Sequence, residues 1–226
     1  MVGMSEQSQD PIPTASDVAQ QRTRAEMFFD PVCPWAWMTS RWLMEVEKVR
    51  DIDITWSVMS LSVLNEHRHV DQAYREILDR SWAPVRTVIA ATQDLPEDEA
   101  NVLRKKMYDA LGQRIHLDHR GTEHLEQVIA EVVEELGLDP ALNDVQHGDS
   151  VDAQLRASHQ RAIDLVGDDV GTPVVSVNDV AFFGPVVTPA PKGEAAGALW
   201  DGCVLVAGTP GFFEIKRTRD KGPDFS

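Results

Sequence analysis

Apolar positions in the first sixty residues change period twice. Met27-Phe28-Phe29 is a short unbroken apolar run. Trp35, Met38, Trp42, Val46 and Val49 then recur at three- and four-residue spacing, the stripe of a helix buried along one side. Ile52, Ile54, Trp56 and Val58 alternate with Asp53, Thr55 and Ser57, which is the period of a strand. Strand, helix and strand in that order predict a β-α-β unit with parallel strands and a right-handed crossover.

Beyond it, no strand period is found between about residues 71 and 149. Residues 74–92 read as a helix broken or kinked near Pro84, and residues 97–111 as a second. A third opens at Thr122 and closes at Gly137, and a fourth covers 151–166 before Gly167. Residues 173–178 read as a strand, and Asn178-Asp179 as a tight turn into 180–183, giving a hairpin. A last amphipathic helix covers 194–206, and 212–217 is a short helical or extended tail piece. This order predicts an α/β protein with a thioredoxin fold and an inserted all-helical subdomain. The expected divisions are a disordered tail over 1–24, a first thioredoxin part over 25–70, the helical insertion over 71–150 and the second part over 151–226. Residues 1–24 are polar and lack the apolar stretch of a signal peptide.

Charge narrows the partners. Acidic residues outnumber basic ones, 37 to 21, for a net charge of -16. That balance disfavours nucleic acid and anionic membrane surfaces. No run of about 18 apolar residues exists to span a bilayer. Two cysteines, Cys33 and Cys203, leave no disulfide framework and fit a reducing cytoplasm. The histidines lack a zinc spacing with cysteines, so no metal is expected. No Walker-type or GxGxxG motif is present, so neither a nucleotide site nor a bound cofactor is expected.

The chemistry concentrates at Asp30-Pro-Val-Cys-Pro-Trp-Ala-Trp37, the first strand-to-helix turn. A thiol there meets the unpaired N–H groups of a helix N-terminus, which favour the thiolate. Cys33 is therefore expected to be the nucleophile, with a pKa below that of a free thiol. Pro34 suits the first helical position, and Trp35 either shapes a cleft or packs the helix. In thioredoxin-like proteins this motif carries a second cysteine at its fourth position, where this chain has Ala36. The chain keeps an attacking sulfur and lacks a resolving one. Gly171-Thr172-Pro173 precedes the third strand; in thioredoxin-like folds such a Thr-Pro bond is cis and faces the active cysteine, which brings Thr172 and Pro173 into the candidate site. Cys203 lies in an apolar helical context and reads as a core thiol. Asn65 follows the second strand at its C-terminal edge, where ligands of α/β folds gather.

Phe29-Asp-Pro-Val-Cys-Pro-Trp, Thr39-Ser-Arg-Trp, Met59-Ser-Leu-Ser-Val-Leu-Asn-Glu, Asp169-Val-Gly-Thr-Pro, Val180-Ala-Phe-Phe-Gly-Pro and Phe212-Phe-Glu-Ile-Lys-Arg-Thr-Arg carry a resemblance. The chain resembles the actinobacterial branch of the DsbA-like thioredoxin family, the mycothiol-dependent nitroreductases and mycoredoxin-like proteins. The likeness runs from about residue 25 to the end. It implies a cytosolic thiol-disulfide oxidoreductase with mycothiol as its low-molecular-weight thiol co-substrate. Disulfides or a redox-partner protein would be its substrates, with nitro-compound reduction as a further activity. It also implies a cleft with Trp35, Asn65, Tyr74 and His116 as substrate-binding residues. Such proteins usually carry Cys-Pro-Trp-Cys, so Ala36 is a departure. A natural monothiol form and a cysteine-to-alanine exchange that traps mixed disulfides both fit the sequence. Two other functions suit the same layout. One is a glutathione-transferase-kappa-like thiol transferase or isomerase, a group that typically has serine in place of Cys33. The other is a non-catalytic binding protein.

Overall fold

The computed structural model describes residues 22–178 and 180–225. The expected disordered tail therefore lies outside the described residues as far as position 21. Its last two residues belong to a strand, because β1 spans Thr23–Phe29. With β2 (Ile52–Val58), β3 (Val174–Val177) and β4 (Val180–Phe183) it forms one sheet in the order β2-β1-β3-β4. β1 and β2 are parallel, with Met27 opposite Trp56. β3 runs antiparallel to β1 and pairs with β4 as the expected hairpin. Asn178 enters its turn at φ 53, a left-handed conformation that asparagine tolerates; Asp179 lies outside the described residues.

Helix α1 (Pro34–Val46) connects the parallel strands and buries Trp37, Met38, Trp42, Leu43 and Val46. Val49 falls beyond its end. Between β2 and β3 the described residues hold helices and turns only: α2 (Leu61–Leu64), α3 (Gln72–Thr92), α4 (Glu97–Gly112), α5 (Leu125–Glu135), α6 (Leu142–Val145) and α7 (Asp152–Val166). α8 (Glu194–Ala207) follows the hairpin. The expected helix over 97–111 is α4, which runs on into a wider π-helical turn over Gln113–Leu117, where bonds reach one residue further. Three expectations need correction. α3 continues through Pro84 without a break, since the burial of Leu78, Val85 and Val88 on the same helix offsets the one N–H bond that proline forfeits. The next helix begins at Leu125 rather than Thr122, and Gly137, at φ 63, closes it. The segment 212–217 contains neither helix nor strand.

Both faces of the sheet are covered. Phe28 and Val174 pack with Met59 and with Ala162 of α7. On the other face Met27, Phe29, Trp56 and Val175 share one core with α1, α8 and the insertion, through Val88 of α3, Tyr108 of α4 and Ile129 of α5. Phe29 and Tyr108 stack with centroids 4.0 Å apart. The insertion thus packs directly on the strand that delivers Cys33.

Candidate active site

Cys33 is the N-cap of α1, with extended backbone at φ -78 and ψ 111. Its Sγ accepts the Ala36 N–H at 3.4 Å, one of the donors a helix start leaves unpaired. Its S–H donates to the Thr172 carbonyl at 3.4 Å. The Thr172 hydroxyl donates to Phe28 O at 2.9 Å, which fixes that loop against the end of β1. The Thr172–Pro173 bond is cis. Cys33, Ala36, Thr172 and Pro173, far apart in sequence, therefore meet at the C-terminal end of the central strand. Ala36 is fully buried and no sulfur stands there. Cys203 is partly exposed on α8 rather than a core thiol, and both cysteines are free.

The electrostatics differ from the sequence expectation. Cys33 is only 5% exposed. Burial pushes its pKa up to about 12, and the Asp30 carboxylate adds to the rise. The Ala36 and Trp35 N–H groups and the Arg219 cation act in the opposite direction without overcoming it. The helix N-terminus is present as expected, but in this conformation desolvation outweighs it, and the thiol is the stable form.

Asp30, the first residue of the motif, is fully buried. Its carboxylate accepts Val32 N–H at 3.0 Å and Leu61 N–H at 2.8 Å, joining the Cys33 loop to α2. Burial nevertheless raises its pKa to about 7, against the lowering effect of those two bonds.

The four residues expected to bind substrate are distributed unequally. Trp35 and Tyr74 are partly exposed. Tyr74 lies close enough for Cys33 and Asp30 to raise its pKa, after burial. His116, in the π-helical turn, is buried; its Nε2 donates to the Pro31 carbonyl at 2.9 Å, and burial lowers its pKa to about 4. Asn65 uses its side-chain N–H on its own helix, donating to Leu61 O at 2.8 Å, and its backbone carbonyl accepts from Arg75. Two residues were missed by sequence reasoning. Arg219 lies over the Trp35 ring, 5.2 Å from its centroid, and Phe225 stacks on His116 at 5.7 Å. Both come from the irregular C-terminal stretch, where no period marks a buried face. The available signals were the family-like stretch over residues 212–219, which ends at Arg219, and the isolated Phe225 in an otherwise polar end. Among the described residues no cluster of His, Cys, Asp or Glu is arranged to hold a metal ion, and no helix is long and apolar enough to cross a membrane.

A cysteine at the first strand-to-helix turn facing a cis-proline loop, with helices inserted in the sheet connection, defines a DsbA-like thioredoxin-fold protein. DsbA of Chlamydia trachomatis superposes with a TM-score of 0.50 at 10% identity, covering 90% of this chain and 100% of the other. A protein of Streptomyces coelicolor described as a probable DsbA oxidoreductase gives 0.50 at 16% identity, covering 90% and 94%. These likenesses show the fold. An uncharacterized protein of Mycobacterium tuberculosis, Rv2286c, is 28% identical over 198 residues, 87% of this chain and 83% of its own length. The chain belongs to the Rv2466c-like family, described by mycothiol-dependent nitroreductase Rv2466c, whose family model matches residues 32–217.

Proposed function

We propose that this protein is a cytosolic thiol-disulfide oxidoreductase that works through Cys33 alone, with mycothiol as co-substrate. The observation that carries the reading is the Cys33 sulfur, held between the Ala36 N–H and the Thr172 carbonyl with no second sulfur at position 36. The Cys33 thiolate attacks one sulfur of a low-molecular-weight disulfide. A Cys33 mixed disulfide forms, and the departing thiolate takes up the proton. An external thiol then attacks the mixed disulfide, leaves with the bound half and returns Cys33 to its starting form. Ala36 makes the external thiol obligatory. The family description supports nitro-compound reduction as a second activity. One nitro group reduced to nitroso would consume two thiols and give one disulfide and one water.

In this reading Trp35 and Tyr74 line the approach to Cys33, and His116 holds the Cys33 loop from behind through Pro31. The helices over 71–150 wall the substrate side. Asn65 shapes α2 beneath it.

The test is intact mass after incubation with oxidised mycothiol. A single adduct located on Cys33, absent from Cys33→Ser and removed by added thiol, is the expected result. A folded protein that takes no adduct, or one that loses two hydrogens to an internal Cys33–Cys203 bond, overturns the reading.

A further inference from the structure

The C-terminal stretch changes character along its length. After α8 the chain is unanchored: Phe213 is 95% exposed and Ile215 74% exposed. A few residues later it is seated on three parts of the molecule. Arg219 lies over Trp35, within the Cys33 motif. Phe225 stacks on His116 of the π-helical turn, the residue bonded to Pro31. The Asp224 N–H donates to the Thr188 hydroxyl at 2.7 Å, on the loop leading to α8. A free span followed by a docked end is the build of a strap.

The docked end lies beside the motif that carries the reacting atom: Arg219 covers Trp35, two positions from Cys33, and its charge is felt at the Cys33 sulfur. Attack on a disulfide needs an open line to Sγ, and Cys33 is 5% exposed, with Ala36 and Thr172 already on two sides. The docked end is not tightly filled. A cavity of about 570 Å³ separates Lys221, Pro223 and Phe225 from Leu117 and His119. A second cavity, about 650 Å³, is lined by Arg114, Arg120, Glu131 and Glu135, and neither cavity is lined by Cys33, Trp35 or Thr172. Those four charges pair with one another. Phe225 also packs against the main core; a docked end that follows an exposed span is the kind of segment that opens locally, ahead of the core.

We propose that residues 219–225 form a strap that closes the entrance to Cys33 and lifts to admit the disulfide. The inference rests on Cys33 being the exchanging thiol. Lifting the strap would rehydrate the sulfur, and the Ala36 N–H would then stabilise the thiolate without the opposing cost of burial.

The test is the rate at which iodoacetamide alkylates Cys33 in the full-length chain, with Cys203 as internal reference. Phe225→Ala removes a docking ring and leaves the Arg219 cation in place. It is expected to speed Cys33 alkylation at least tenfold, with Cys203 unchanged. An unchanged Cys33 rate, or an equal rise at both cysteines, overturns the strap. Should Phe225→Ala fail to fold, amide exchange on the unaltered chain decides. The Asp224 amide should exchange far faster than the Trp37 amide, which is bonded to Cys33 O; equal protection overturns the proposal. Faster alkylation without any adduct from oxidised mycothiol leaves the strap standing and removes the proposed function. Adduct formation with no change of rate in Phe225→Ala does the reverse.

Discussion

Backbone groups build one side of the Cys33 site, and side-chain rings build the other. On the first side the Ala36 N–H and the Thr172 carbonyl meet Sγ, and the Asp30 carboxylate ties the loop to α2 through two backbone N–H groups. On the second, His116 lies between Trp37 and Phe225, and Arg219 covers Trp35. The first arrangement follows from where a strand ends and a helix begins. The second depends on where a distant turn and the chain's last residues come to rest. The two sides should therefore respond differently to substitution and to pH.

The largest effect is expected at the backbone side. Ala36→Cys places a sulfur one helical turn on, where the N-cap geometry already directs the Ala36 N–H at Cys33. Release of a Cys33 mixed disulfide becomes intramolecular, and well-oriented internal reactions gain large effective concentrations. Release should accelerate by a factor on the order of 100 or more and lose its dependence on external thiol. Stopped-flow release at several thiol concentrations measures this; a rate that still scales with thiol shows that position 36 is out of reach.

Next comes Asp30, whose folded pKa of about 7 stands above the ordinary carboxylate value. The folded state binds this proton more tightly than the unfolded chain. The stability linked to it is complete below about pH 4 and is lost as pH rises through 7. The gap of about three pH units corresponds to a loss on the order of 4 kcal/mol. Asn does not titrate, so Asp30→Asn should gain on wild type by about that amount between pH 4 and pH 8. The fixed cost of losing one carboxylate oxygen cancels in the difference. Urea unfolding at the two pH values decides, and a pH-independent difference would remove Asp30 from the account.

The ring side should show the opposite sign. His116 is held neutral by burial at a pKa of about 4, below the ordinary histidine value. The unfolded chain takes the proton first, so its stability is present above about pH 6.5 and is lost as pH falls through 4. His116→Phe keeps a ring in the stack and removes the titration. Its deficit relative to wild type should shrink by on the order of 3 kcal/mol between pH 7 and pH 4. His159, also lowered to about 4 by burial, titrates in both chains and cancels. A deficit that stays constant over this range contradicts the buried, neutral state of His116.

The same contrast explains what could be read from the chain. Cys33, Pro34, Thr172 and Pro173 were legible because capping and proline geometry are local, and the parallel strand pair followed from hydrophobic period. The depressed pKa was not. A helix N-terminus is visible in sequence, whereas the desolvation that outweighs it depends on the segments that close over Cys33. Asn65 stood at the right strand end, yet its amide caps α2, because Ser60 starts a helix there that four residues are too few to announce. His116 could be named only by family likeness, and Arg219 and Phe225 belong to a stretch without period.

The two sides meet at Gly112, and there the smallest of these effects should appear. Gly112 ends α4 with ordinary helical angles, so it is not required for its conformational freedom. Space requires it: a Cβ at this position would stand 2.1 Å from Cζ3 of Trp37. Trp37 is fixed in turn by α1, by Tyr108 edge-on at 5.7 Å and by the Arg41 guanidinium 3.9 Å from its ring centre. It has little room to retreat. Gly112→Ala should therefore force α4 and α1 apart and cost about 1–3 kcal/mol, the range for overpacking a filled core. The helix propensity of alanine works against this by up to about 1 kcal/mol, so a net loss can come only from the clash. Adding Trp37→Leu removes the ring that is struck. In a double-mutant cycle, Gly112→Ala should then cost less in the Trp37→Leu background than beside the native Trp37. If alanine is equally costly in both backgrounds, or stabilises beside Trp37, the close approach of the two helices is not what joins the ring side of the site to the backbone side.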